Sequence, residues 1–330
     1  MKQNHSIHFL TAEKLTLFYI FISACVIAII KPGLHTSLLL LGHRLMITLG
    51  ILLLAFIGTK KNLKIIRFIR NLAMGSLLAF WYPETFDINK FETNRDYLLA
   101  GWEQKLFGFQ PALIFSKHYP QNWICELMNM GYFSFYFIIL GVGLYFYFRN
   151  RKYFDYFFFT VLGAFFVYYI IYIIFPTAGP QFYYAAIGYH NAASGVFPEL
   201  GNFFGTHSLI TGNYTNDHGI FFNLVETTQK VGERPTAAFP SSHVGISTLI
   251  MVLLLHAKQY RTFILFFPIY AILVIATVYI RAHYFVDVLA GFGTAVAFYA
   301  ISIPAYKFFR TADTATMLVS NTEHTFRANM

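Results

Sequence analysis

Charge is scarce in this chain: 12% of its 330 residues are Asp, Glu, Lys or Arg, while 57% are hydrophobic. A soluble domain carries about 25% charged residues, so a water-soluble globular fold of this length is excluded. Cysteine is nearly absent. Cys25 lies within an apolar run and Cys125 at the start of another, which leaves neither a disulfide scaffold nor a cysteine metal cluster. Missing too are the short alternating apolar segments of a membrane barrel, internal repeats and low-complexity stretches. The first apolar run meets Lys31-Pro32-Gly33 with no small-residue cleavage pattern, so it is expected to be a retained anchor.

What the chain has instead is long apolar runs, rich in its 39 Phe and 23 Tyr. A helical span needs roughly 20 mostly apolar residues. Candidates are Leu15–Ile30, Thr36–Gly58, Trp123–Phe148, Tyr153–Phe175, Ser242–Leu255, Thr262–Ile280 and Tyr284–Pro304, with Arg67–Tyr82 as a weaker eighth. Continuous runs favour helices, which satisfy their own backbone in lipid. The expectation is an all-α, polytopic transmembrane bundle of about 6 to 8 spans.

The net charge of +9 could suggest nucleic acid, but the basic residues fall in short connections rather than in one stripe. Four clusters stand out: Lys60, Lys61, Lys64, Arg67 and Arg70; Arg149, Arg151 and Lys152; Lys258 and Arg261; Lys307 and Arg310. If all are cytoplasmic, as the positive-inside tendency asks, an even number of crossings separates successive clusters. Arg67–Tyr82 must then span, although an amphipathic interfacial helix is the plain alternative. Both termini fall inside. Pro83–Asn122, Pro176–Ser241 and the Arg281–His283 turn fall outside, toward periplasm, lumen or cell exterior.

The expected organisation is N-terminal membrane helices over residues 1–82, an extracytoplasmic interfacial segment over 83–122, a membrane domain over 123–310 with an outer loop at 176–240, and a cytoplasmic tail over 311–330. Trp102, Leu106, Phe107 and Leu113 among polar residues suit helices in the headgroup plane. The outer loop, too long for a bare connection, is either a substrate-facing cap or an ordinary surface loop. Its Asn213-Tyr214-Thr215 sequon is a weak three-residue match.

Chemistry concentrates in two short stretches about forty residues apart, Arg234 to His243 and Arg281 to Asp287, joined by an apolar hairpin that returns both to one face. Phe239-Pro240-Ser241-Ser242-His243 opens a helix. Serine caps suit such a start, whose unpartnered N–H groups attract anions; a serine-capped helix with His243 reaching the interface is the plain reading. His283 and Asp287 are four apart, so on a helix they share one face and the carboxylate can orient the imidazole. A structural His–Asp pair is again the plain reading, but an intramembrane aspartate points to function. Together the residues suit movement of a phosphoryl group at a lipid surface.

The two stretches resemble the second and third signature motifs of the type 2 phosphatidic acid phosphatase superfamily. His283-Tyr284-Phe285-Val286-Asp287-Val288-Leu289-Ala290-Gly291, Phe175-Pro176-Thr177-Ala178-Gly179-Pro180, Leu98-Leu99 and Leu106-Phe107-Gly108 resemble most its inositolphosphotransferase branch, the inositol phosphorylceramide synthases. Likeness extends over about Tyr97 to Tyr299. It implies that His283 is the nucleophile that forms a phosphohistidine, Asp287 its orienting partner, and His243 the general acid, with no metal or other cofactor. Ser241, Ser242 and Arg234 would hold the phosphate. Two departures stand out: Thr227 replaces a lysine of the family pattern, with Lys230 the nearest lysine, and Thr277 replaces an arginine, for which Arg281 could substitute only if the helix begins near His283; Lys230 and Arg281 are therefore further candidate phosphate contacts. The implied activity is transfer of a phospho-headgroup from a phospholipid donor to a lipid alcohol. Alternatives are a lipid phosphatase that uses water and, more distantly, a lipid transporter; oligomeric state is not addressed by the sequence.

Overall fold

A computed structural model of the chain describes residues 7–60, 64–207 and 219–328, and every regular element among them is an α-helix. In chain order these are α1 (Thr11–Ile30), α2 (Leu34–Lys60), α3 (Lys64–Asn89), α4 (Asp96–Phe107), α5 (Pro111–His118), α6 (Asn122–Arg149) and α7 (Arg151–Ile174). They continue with α8 (Pro180–Ile187), α9 (Tyr189–Ala193), α10 (Phe203–Thr206), α11 (Ile220–Gly232), α12 (Ser242–His256), α13 (Tyr260–Tyr279) and α14 (Phe285–Ala328). The Asn213-Tyr214-Thr215 sequon lies outside the described residues.

Six of these helices are long and apolar enough to cross a membrane: α1, α2, α6, α7, α13 and α14 as far as Arg310. Two more complete the bundle. At 1.5 Å per residue α3 is about 39 Å long, and it lies along α7 from end to end. Arg67 pairs with Asp155 at the start of α7, and Asn89 Nδ2 donates to Tyr172 O, 2.7 Å, at its finish. α12 has 15 residues and is about 22 Å long, less than a ~30 Å hydrocarbon core, but most of it is buried among its neighbours. The eight long helices alternate in direction, so the polytopic helical bundle expected from the runs is what the chain forms.

Where α3 ends was not evident from its composition. The helix runs through Pro83 to Asn89, although proline removes an intrahelical bond. Arg44 Nη1 holds Glu84 at 3.1 Å and Asn89 is tied to α7 and to Thr236, which secures the turns beyond the proline. α14 likewise passes Pro304 and stays helical to Ala328, through most of the expected 311–330 tail.

Packing follows from the aromatic content. Tyr19 of α1 stacks on Phe166 of α7 at 4.2 Å and meets Trp81 of α3 edge-on at 4.9 Å, the geometries that ring quadrupoles favour. Large apolar side chains also point outward, including Leu45, Phe148, Leu265 and Val296. An apolar belt of that kind suits lipid contact. Within the bundle, Arg70 makes two bonds to Glu13, at 2.7 and 2.5 Å, and both side chains are buried. Removing either partner would strand the other at a cost of about 3–5 kcal/mol.

The described members of the four basic clusters gather at one end of the bundle. Arg67 and Arg70 open α3, Arg149 closes α6 and Arg151 opens α7, Lys258 and Arg261 flank the α12–α13 turn, and Lys307 and Arg310 end the apolar part of α14. Ties across this end include Tyr145 Oη to Gln259, and Lys14 Nζ to Phe309 O at 3.3 Å. The starts of α12 and α14 lie at the other end. Asn202 belongs to that end as well, next to Gly201, whose carbonyl accepts from Asn94 N at 2.8 Å. Cysteines placed at Asn202 and Lys258, in a protein lacking Cys25 and Cys125, are therefore expected to react from opposite sides of a sealed vesicle with an impermeant thiol reagent. Equal labelling of both from one side would contradict the alternation of helix directions.

Candidate active site

The site is assembled where α12 and α14 begin. Ser241 caps α12, its Oγ accepting from Val244 N at 3.3 Å, and its own N–H donates to Asp287 O at 3.1 Å. The helices can meet this closely because residue 291 is glycine: a Cβ there would stand 2.9 Å from Ser241 O and 3.0 Å from Val244 Cβ. Thr177 fixes the strand-like approach to α12. Its carbonyl accepts from Ala238 N at 3.0 Å and its Oγ1 from Phe239 N at 2.8 Å, beside a parallel bridge to Ala237. This gives the Phe175 to Pro180 segment its structural task.

Two carboxylates satisfy the first N–H groups of α14, which have no partner within the helix. Asp287 Oδ2 accepts from Tyr284 N at 2.8 Å, while Glu103, reaching over from α4, accepts from Phe285 N and, at 3.4 Å, from Val286 N. Burial, reinforced by the Asp287 charge, pushes Glu103 up to about 8. Asp96, also on α4, accepts from Ala178 N at 2.6 Å, Gly179 N at 2.8 Å and Tyr284 Oη at 3.0 Å. α4 is thus a brace behind both signature segments.

His283 Nδ1 lies 2.8 Å from Ala238 O and 3.5 Å from Asp287 Oδ2. A carbonyl can only accept, so the contact requires the proton on Nδ1 and leaves the Nε2 lone pair available. Nε2 faces His243 Nδ1 at 3.5 Å. Burial pushes His283 down to about 4, with the Glu233 charge and the Ala238 bond pulling the other way. The imidazole is therefore neutral at neutral pH, the form a nucleophile needs. His243 is clasped between rings, stacked on Tyr132 at 4.4 Å and tilted against Phe135 at 4.4 Å.

Both imidazoles line a cavity of about 350 Å³. One end is polar, with Ser242, Arg234, Glu233 and Gln181 beside the histidines. The other is apolar and descends between helices. Gly75, Leu78, Ala79 and Tyr82 form an i, i+3, i+4, i+7 stripe on α3, faced by Tyr132, Phe135, Tyr136 and Ile139 at the same spacing on α6, with Phe165 and Tyr169 of α7 as the floor. α3 and α6 each pack along α7 rather than along one another. The seam between them closes near the basic end, where the Phe68 and Tyr147 rings lie 4.4 Å apart.

Of the residues singled out by sequence, His243, His283, Ser242 and Arg234 meet at this cavity, Asp287 stands behind His283, and Ser241 is buried as the cap. Lys230 and Arg281, the candidates for the missing family cations, do not line this cavity. Thr228 and Gly232 of α11 line the cavity, and Lys230, two positions from each, projects to the opposite side and pairs with Glu226 at 3.0 Å. Arg281 adopts a left-handed φ of 63° that turns its side chain toward Ser116 Oγ, 3.4 Å away, and over the Tyr189 ring. Sequence reasoning missed Asp96, Glu103, Gln181 and Glu233. One signal was present for the first two: Asp96, Leu99, Ala100 and Glu103 form a buried i, i+3, i+4, i+7 stripe, and acids on an apolar stripe need partners. Among the described residues no group of three or more His, Cys, Asp or Glu side chains is arranged to hold a metal ion.

No curated protein and no solved structure matches the chain. A family match does exist, to the PAP2 superfamily, over residues 98–301. It takes in both histidine segments, the Thr177 clamp and α4 from Leu98 onward, Glu103 included and Asp96 not. With well over half of its length matched, the chain belongs to the PAP2 superfamily, whose members generally act as phosphatases or phosphotransferases on lipids.

Proposed function

We propose that the protein is an integral-membrane phosphotransferase that moves a phospho-headgroup from a phospholipid to a lipid alcohol, in the manner of inositol phosphorylceramide synthases, through a phosphohistidine on His283. The observation that carries this reading is the shape of the cavity: the two imidazoles at one end and an apolar seam between α3 and α6 at the other. Such a site accepts a phosphate and a hydrocarbon chain together. Arg234 would neutralise the phosphate, and the Ser242 hydroxyl would donate to it.

In the first half-reaction the Nε2 lone pair of His283 attacks phosphorus and the bond from phosphorus to the diacylglycerol oxygen breaks. His243 gives its proton to that oxygen. The Ala238 carbonyl, seconded by Asp287, stabilises the positive imidazolium ring that forms. In the second half the acceptor hydroxyl attacks phosphorus, its proton passes to His243, and the P–N bond breaks to restore His283. Water as acceptor would make the enzyme a lipid phosphatase by the same steps. A transporter would have no use for a neutral imidazole held by a main-chain carbonyl. Because the basic clusters lie at the opposite end of the bundle, the positive-inside tendency puts this chemistry on the extracytoplasmic side.

Purified protein incubated with labelled phospholipids, with and without a ceramide-like alcohol, distinguishes the acceptors. The expected product is a phosphodiester of the added alcohol, and His283→Ala is expected to form none. Release of free phosphate or phospho-headgroup whether or not the alcohol is present would favour the phosphatase.

The acid role of His243 has its own test. Replacement by alanine should depress turnover of a natural phospholipid at least tenfold more than turnover of a nitrophenyl phosphodiester, since general acid catalysis contributes about 10²–10⁴-fold and a nitrophenolate departs without a proton. An equal fall for both substrates would leave His243 with a binding role only.

A further inference from the structure

Glu233 lines the cavity, yet the phosphoryl chemistry above gives it no task. It caps the end of α11, one residue before Arg234. Its carboxylate is held at both oxygens: Tyr132 Oη donates to Oε1 at 2.8 Å and Gln181 Nε2 donates to Oε2 at 2.6 Å. Gln181 is itself positioned by Gln229, whose Nε2 donates to Gln181 Oε1 at 3.3 Å. Arg234 does not neutralise it. The guanidinium turns back to the Glu233 main-chain oxygen at 2.9 Å, and no described cation pairs with the carboxylate. The charge is directed at the reaction centre, since it acts on His283 against the effect of burial.

A fixed negative charge facing a phosphate site opposes every unit of negative charge that enters. A phosphodiester carries one such unit, whereas a phosphomonoester carries about −1.5 to −2 at pH 7. In a largely buried cavity the difference is not screened away as it would be in water. Resting on the reading of this cavity as a phosphoryl-transfer site, we infer that Glu233, oriented by Tyr132 and Gln181, is a charge filter that selects phosphodiester lipids over phosphomonoester lipids. The donor is then a phospholipid that carries a headgroup, and phosphatidic acid is a poor substrate.

Phosphatidylmethanol and phosphatidic acid make a suitable pair for the test, because both release diacylglycerol and differ by one methyl group and one ionisation. With the full-length protein in detergent, wild type is expected to show the higher kcat/KM on phosphatidylmethanol. Glu233→Gln keeps the shape and removes the charge, and is expected to raise the phosphatidic acid to phosphatidylmethanol ratio about tenfold or more, the effect of one unit charge at about 1.4 kcal/mol. Glu233→Asp keeps the charge and should keep the wild-type ratio. An unchanged ratio in Glu233→Gln, or a wild type that prefers phosphatidic acid, overturns the filter while leaving the transfer site standing, provided His283→Ala is inactive on both lipids. If His283→Ala retains activity, the underlying reading of the site is what fails. Should Glu233→Gln not fold, inhibition of the wild type decides: dimethyl phosphate must bind more tightly than methyl phosphate, and the reverse order overturns the proposal.

Discussion

The hydrogen bond from Ser241 N to Asp287 O, 3.1 Å long, is the point on which the arrangement of the site depends. It joins the first turn of α12 to the first turn of α14, and Gly291 permits the approach. Two helices that begin side by side carry His243 and His283 into opposition, with 3.5 Å between their facing ring nitrogens, so that both imidazoles open on the same cavity. Everything else in the neighbourhood reinforces that junction. Thr177 holds the chain entering α12, while Asp96 and Glu103 hold the chain entering α14. These are buried main-chain donors that would be costly to leave unmade.

The same junction explains why the order of charges makes sense. Carboxylates cap α14, so its N-terminal donors are already spent on protein groups. On the proposed reading an anionic ligand would be left with the α12 side, where Ser242 and Arg234 line the cavity beside the imidazoles. His283 is neutral for a physical reason, burial, and its tautomer is set by the Ala238 carbonyl before Asp287 contributes. The pairing of His283 with Asp287 anticipated from their i, i+4 spacing is present at 3.5 Å, but Asp287 spends its shorter contact on Tyr284 N. Its geometry fits two duties, completing the helix start and facing the ring from behind.

Much of this was legible in the residues alone. Long apolar runs gave the bundle, and the spacing of basic clusters pointed to α3 as a further member of it, although its own composition is too polar to announce a span. What composition could not reveal is where a polar helix stops: Arg44 and Tyr172, partners distant in sequence, carry α3 past Pro83. The histidine segments pointed to the end of the bundle where the cavity lies, because their polar side chains are close in sequence to the helix starts that carry them. That Arg281 and Lys230 lie off the cavity was hidden for the opposite reason. Their directions depend on a left-handed turn and on the rotation of α11, neither of which a spacing rule fixes. Glu233 was invisible as a site residue because its meaning comes from Tyr132 and Gln181, about a hundred and about fifty positions away.

The account stands or falls on a covalent bond between phosphorus and His283. Protein incubated with a phospholipid labelled in its phosphate, without acceptor, then quenched in alkali and mapped by mass spectrometry, reports that bond directly. The account predicts a base-stable, acid-labile adduct on His283 that disappears when an acceptor alcohol is supplied. An acid-stable phosphoester on Ser242, or turnover with no adduct on His283 under single-turnover conditions, would contradict it.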